Sequence, residues 1–198
     1  MTTAPSLDAP AVANTLTTDP VALDAAMAPE EVGGLPAKPG FYAWWVENGT
    51  MSGVPHYPHP AQPTLGLLYV GISPTRESSG GRIRSRVINQ HIRGNTSSST
   101  FRFVLASLLI QELALKPRAT AKKIVLDVND NQRLRDWQLD HLRITWCIRD
   151  RPREVEDQVI ALLEPPLNSS ANRAHPFHER VATARTAFRA AGRTLDRT

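Results

Sequence analysis

The sequence is poor in cysteine, in long apolar runs and, over its first part, in positive charge. One cysteine, Cys147, occurs in 198 residues, so no intrachain disulfide can form and a reducing cytoplasm is the expected compartment. It lies in the apolar run Ile144-Thr145-Trp146-Cys147-Ile148, where a packing role is expected rather than a nucleophile's. No stretch reaches the roughly 18 apolar residues of a membrane span. The first 37 residues hold neither Lys nor Arg, which argues against a secretory signal with a basic start. No helix-turn-helix or zinc-finger pattern is recognisable, so sequence specificity has no visible source. No internal repeat is found.

What is there is a basic chain with uneven charge. Hydrophobic residues make up 41%, enough for a core without disulfides or structural zinc. The formal net charge is +4, but residues 1–35 hold five acidic residues and no base, so the rest of the chain carries +9. Between Arg76 and Arg118 there are eight basic residues against two acidic ones. A surface of this kind favours polyanionic partners, although many arginine faces are merely solvated.

The first 37 residues are rich in Ala, Thr and Pro without a clear period and are expected to be a disordered arm, with a helical turn near 20–28 at most. Phe41–Val46 and Leu67–Ile72 are β-prone and predict two strands, separated by a proline-rich loop. Ile83, Val87, Ile88 and Ile92 fall at helical spacing and predict a helix over 82–92, stopped at Gly94. Ser99 or Thr100 can cap a second helix containing Phe103, Val104, Leu108 and Leu109. A strand over 123–128, a helix over 131–139, a strand over 142–148 and helices over 153–163 and 176–191 follow. The expected fold class is α+β, with a small, mostly antiparallel three-stranded central sheet flanked by helices.

Five features stand out on these elements: Gly40-Phe41-Tyr42, Tyr69-Val70-Gly71, Arg86 on the next helix, Glu156 on a later helix, and Asn168 after Pro165-Pro166. Phosphodiester hydrolysis asks for such residue types. It needs a placed water, a proton acceptor, and neutralisation of charge at the phosphate and leaving oxygen. A carboxylate can hold one hydrated Mg²⁺, and a guanidinium fork matches phosphate oxygens. Taken singly, each has an ordinary reading: strand tyrosines, a solvated helix arginine, one of three neighbouring acids (Glu154, Glu156, Asp157), a turn asparagine.

The ordered set resembles the GIY-YIG nuclease family. The two triplets stand for the family's two signatures, Ile83-Arg84-Ser85-Arg86 is similar to its arginine helix, and Glu156, 12 residues before Asn168, is similar to its metal-binding glutamate and closing asparagine. Within the family the chain looks most like small bacterial members, through Arg93-Gly94-Asn95, Ser99-Thr100-Phe101-Arg102 and Asn172–Phe177. The resemblance implies a nuclease domain over 38–172, a C-terminal helical extension over 173–198, and endonuclease activity on DNA with Mg²⁺ or Mn²⁺ at Glu156. It implies Tyr69 as the water's base, helped by Tyr42, a role that needs a lowered pKa because a free tyrosine sits near 10. Gly71, Arg84, Arg93 and Arg102 are the expected substrate contacts. The arginines of the last helix, from Arg173 to Arg197, either lie along DNA or form a solvated face.

Three departures from the family pattern bear on the site. The gap from Gly71 to Arg86 is long and contains Ser78-Ser79-Gly80-Gly81. Ile72 follows Gly71 where some members carry lysine. His91 comes five residues after Arg86, where members often place a histidine at four. At about 100° per residue that rotates His91 to a position beside the site, with a general-acid or phosphate-contact role as the alternative. His56 and His59 share the proline-rich loop, with spacing that does not by itself make a metal site. The competing functions are a non-catalytic nucleic-acid-binding module on the same fold and a toxin, phage or defence component that needs a protein partner. A homodimer would let one small nuclease cut both strands.

Overall fold

The long aromatic strand Gly40–Glu47 (β2) lies between its two long neighbours, and helices cover both faces of the sheet they form. A computed structural model describes residues 8–55, 57–75 and 80–194. His56, Arg76, Ser78, Ser79, Arg197 and the first seven residues lie outside the described residues. The elements are α1 (Ala9–Leu16), β1 (Val21–Ala22), α2 (Leu23–Met27), β2 (Gly40–Glu47), β3 (Tyr57–Pro58), β4 (Leu65–Ser73), α3 (Ile83–Ser85) running into a π-helix (Arg86–Ile92), α4 (Thr100–Leu108), β5 (Arg118–Ala119), β6 (Ile124–Val125), α5 (Val128–His141), β7 (Leu142–Ile148), α6 (Glu156–Leu163) and α7 (His178–Thr194). The chain is α+β, and its main sheet has the order β1-β7-β2-β4-β3, antiparallel at each pairing.

The sheet therefore has five strands, not three. Its three long strands are those read from the sequence. The two additions, β1 and β3, are two-residue edges in segments dominated by Pro, Ala and Gly, too short to give a period. The strand expected over 123–128 is reduced to β6, which pairs only with β5 in a separate ribbon.

The larger correction concerns the amino-terminal segment. Residues 8–37 are not a disordered arm. Ala9, Val12, Ala13 and Leu16 line one face of α1 and are buried, at the i, i+3, i+4, i+7 spacing of an amphipathic helix. The Asp8 side chain accepts from Ala11 N–H at 3.0 Å as the N-cap. Thr145 holds the other end, its hydroxyl donating to the Leu16 carbonyl at 2.7 Å.

The sheet is thus covered on both faces. Phe41, Ala43, Trp45, Val70 and Ile72 pack under α1 and α6. Tyr42, Trp44, Val46 and Leu68 face α2, the arginine helix, α4, α5 and α7. Alternation along β2 sends successive side chains to these two cores, which explains why the strand is buried on both sides. Ile72 belongs to the first core, so a lysine there would be buried. The tail folds back through its histidines: His175 Nε2 lies 3.3 Å from the Tyr57 hydroxyl, and His178 Nδ1 lies 2.9 Å from the Ser169 carbonyl.

Candidate active site

The two triplets meet across the β2–β4 pairing. Tyr42 lies opposite Gly71, and its ring covers that residue so closely that a Cβ on Gly71 would collide with the phenol oxygen. Gly40, at φ 153°, has no room for a Cβ against the Cys147 carbonyl. These glycines are set by close approach. The pairing skips Leu68: Trp44 faces Tyr69, while Trp45 faces Leu67. The extra residue is a β-bulge, and it re-aims Tyr69 toward the face that holds Tyr42 and Trp44.

Asn168 fixes this bulged stretch. Beyond Leu67, β4 has no outer strand among the described residues, so its edge would be left with unpaired amides. The Asn168 side chain takes both groups of Val70, accepting from its N–H at 2.9 Å and donating to its carbonyl at 2.7 Å. Leu167 N–H donates to the Leu68 carbonyl at 3.0 Å. Asn168 and Leu167 thus stand in for a missing strand on either side of Tyr69.

The arginine helix brings the next groups. From Arg86 to Ile92 it is wound as a π-helix, with Arg93 N–H bonded to the Ile88 carbonyl at 2.8 Å. Bonds of this i→i+5 type put one more residue in each turn, so a residue five along returns over its predecessor. His91 is therefore not rotated away from Arg86, as α-helical geometry implies. It is fully buried, its Nε2 is 2.6 Å from the Tyr42 hydroxyl, and its Nδ1 is 2.6 Å from the Ser99 hydroxyl. Ser99 also caps α4, accepting from Arg102 N–H at 3.0 Å. Around this chain, Phe101 stacks on Trp44 at 4.8 Å and meets Tyr69 at 5.1 Å between centroids.

Burial governs the titration of these groups. It drives the Tyr42 hydroxyl far above the usual 10, with Tyr69 adding to the rise and Arg86 opposing it. It pushes Tyr69 up to about 12, again opposed by Arg86. His91 is held well below 6.5 by burial, then by the charges of Arg86 and Arg102, so its ring is neutral and keeps one nitrogen as an acceptor. Tyr42 is sealed from solvent, whereas Tyr69 is partly exposed in a cleft of about 180 Å³ shared with Glu156.

Of the three candidate acids, only Glu156 lines that cleft. Glu154 is taken by Arg149 at 3.4 Å and Arg151 at 2.9 Å, and Asp157 is exposed. Glu156 opens α6, is half-buried, and has no ion-pair partner among the described residues. Burial first, and then Asp157, raises its carboxyl above the usual range. Among the described residues no three His, Cys, Asp or Glu side chains converge.

The sequence profile of the GIY-YIG catalytic domain matches residues 40–187. The chain belongs to the GIY-YIG family. Neither a curated protein nor a solved structure matches it. The GIY-YIG match takes in both triplets, the arginine helix, Glu156 and Asn168, and extends into α7. No helix among the described residues is long and apolar enough to cross a membrane.

Other residues named from the sequence as substrate contacts are placed elsewhere in this GIY-YIG domain. Arg102 is completely buried. It donates to the carbonyls of His91 at 3.1 Å, Ile92 at 2.8 Å and Asn131 at 2.7 Å, and to Gln138. It is a clamp for the end of the π-helix, whose last carbonyls lack helical partners, not a surface contact. Arg84 donates to the carbonyls of Ala28 at 2.6 Å and Met27 at 2.9 Å, tying the amino-terminal segment to the arginine helix. Arg93 is exposed, but in a separate cleft with Arg82 and Arg84. Gly71 serves the packing of Tyr42. Sequence reasoning missed Trp44 and Phe101 as walls of the site. Trp44 was legible as the residue two beyond Tyr42 on the same strand face.

Proposed function

We propose that the protein is a metal-dependent endonuclease that hydrolyses phosphodiester bonds in DNA. The observation that carries this reading is the opening of Tyr69 and the unpaired carboxylate of Glu156 into one cleft, backed by the charge of Arg86. A half-buried carboxylate with no ion-pair partner among the described residues suits a hydrated Mg²⁺ or Mn²⁺, which binds through few protein ligands, and the absence of a three-ligand cluster among the described residues argues against a zinc centre. Glu156 would hold that ion, which when bound supplies charge neutralisation at the phosphate and lowers the pKa of coordinated water.

The chain's own residues do the rest. Arg86 offers donors to a phosphate oxygen as negative charge grows in the transition state. Tyr69, as its phenolate, accepts the proton of the attacking water and becomes the neutral phenol. Its hydroxyl, pushed up to about 12 in the free protein, makes that role depend on nearby positive charge, of which Arg86 is the fixed source. Tyr42, sealed and bonded to His91, positions the site from behind, as Asn168 does from the edge of β4. The neutral imidazole accepts or donates without bringing a further charge into the aromatic wall.

The test is cleavage of supercoiled plasmid and of branched DNA with Mg²⁺ or Mn²⁺, comparing wild type with Glu156→Ala. The reading predicts cutting that disappears in the variant and in chelator, with DNA binding retained. Binding without cutting by folded wild type, on both substrates and with both metals, would instead mark a non-catalytic binding module.

A further inference from the structure

The residues of the proposed mechanism leave one large feature unused. Beside the Tyr69–Glu156 cleft lies a cavity of about 500 Å³ between the start of α4, the β5–β6 turn and α7. Arg86 and Thr100 line it, and Thr100 and Arg185 also line the catalytic cleft, so the two spaces adjoin. Its other cations are Lys122 and Lys123 from the turn, and Arg189 and Arg193 from α7. Among the described residues no acidic side chain lines it.

The cavity is built by packing. Phe103 of α4 meets Phe188 of α7 edge-on at 5.2 Å. Gly192 lies so close to the ribbon that a Cβ would be 3.1 Å from Ile124 Cγ2, which draws α7 onto the β5–β6 turn. Arg189 and Arg185 lie over the Phe103 ring at 4.9 and 5.8 Å, which fixes two guanidinium groups side by side. Neither has a carboxylate partner among the described residues, and Arg185 Nε is buried with no hydrogen-bond partner. Holding like charges together without a counter-ion is unfavourable unless an anion joins them. The hydroxyls of Ser97 and Thr100 add neutral donors to the lining.

We propose that this cavity seats the phosphates of the DNA strand on one side of the scissile bond. The inference rests on the nuclease reading above and gives its substrate a direction. Arg185, Arg189 and Arg193 recur every four residues along one side of α7, over a rise of about 12 Å. At about 3.4 Å of axis per phosphate, that rise takes in about four phosphates of a duplex strand. Arg180, on the first turn of the same helix, points instead at the carbonyls of Ser52 and Gly53, so the phosphate row begins at Arg185.

The experiment measures fluorescence anisotropy of a labelled duplex in chelator across a salt series, alongside cleavage with Mn²⁺. Wild type is compared with Lys122→Ala/Lys123→Ala, with Arg189→Ala/Arg193→Ala, and with Arg143→Gln, a lost charge at the far end of β7. Each double variant should weaken binding about tenfold or more and flatten the slope of log affinity against log salt by about 1.8, with KM raised and kcat kept. Arg143→Gln should bind like wild type. The lysine pair is exposed, so its result stands even if the arginine pair disturbs α7. Wild-type affinity and slope in the lysine pair, in a protein that still cuts, would overturn the phosphate seat and leave the nuclease intact. Wild type that neither binds nor cuts would overturn both.

Discussion

Arg86 and Arg102 lie one helix apart and look alike in sequence, yet the fold treats them as opposites. Arg102 is enclosed, and carbonyl and amide oxygens from the π-helix and α5 take its donors. Burial, then Arg135, pushes its pKa down to about 10, so it stays charged at neutral pH. Arg86 bonds Gln90 on its own helix, leaves Nε buried without a partner, and lines the basic cavity beside the Tyr69–Glu156 cleft. The same contrast separates Arg84, spent on carbonyls, from Arg185, which lines the basic cavity and has a buried Nε without a partner. A basic residue that has already found protein oxygens holds the fold together. One that has not is available to a ligand.

That contrast is open to direct tests. Arg86→Ala should lower cleavage by about 10³-fold, or about 4 kcal/mol of transition-state stabilisation, with little change in Tm. Arg102→Met should do the reverse in kind. It leaves several buried acceptors unpaired and should cost about 3 kcal/mol of stability, seen as a fall in Tm and denaturation midpoint. Equal stability losses in the two variants would erase the distinction. Gly71→Ala should destabilise by about 1–3 kcal/mol by overpacking and should also reduce cleavage, since the new Cβ displaces Tyr42. A fully active, stable Gly71→Ala would show that the Tyr42 ring is not held where the structure has it.

The smallest effect concerns pH. The folded-state pKa of His91 is depressed, so its contribution to stability is complete above the unfolded value near 6.5 and is lost as pH falls through it. The loss should approach at most about 1.4 kcal/mol per pH unit. His59 and His175 are also lowered, first by burial, and contribute with the same sign. His91→Gln should therefore reduce the acid sensitivity of Tm below pH 6.5 without abolishing it. An unchanged pH profile would mean that His91 protonates freely in the folded protein.

Much of the fold was legible, because β2, β4 and β7 carry dense β-branched and aromatic runs, and each was read to within two residues of its ends. Tyr42, Tyr69, Arg86, Glu156 and Asn168 were picked out by order along the chain, and the antiparallel hairpin, the bulge and the Asn168 clamp supply the physical reason for that order. The losses have identifiable causes. α1 is only eight residues long and is set among Thr and Pro, so its cap and apolar spacing were overlooked. His91 was misplaced because the extra residue per turn of a π-helix comes from tertiary contacts, including the Arg102 clamp, and not from local propensity. Arg102 was misassigned because its partners are backbone oxygens, which leave no mark in a sequence. The basic cavity joins residues 97–100, 122–123 and 185–193, and no motif links segments so far apart.

The most direct test of the account is cleavage and binding by Tyr69→Phe, which removes one oxygen from the cleft and keeps the ring against Phe101. The account predicts a folded protein that binds duplex DNA with wild-type affinity and salt dependence and does not cut it with Mg²⁺ or Mn²⁺. Wild-type cleavage by this variant would take Tyr69 out of the chemistry and contradict the mechanism built around it.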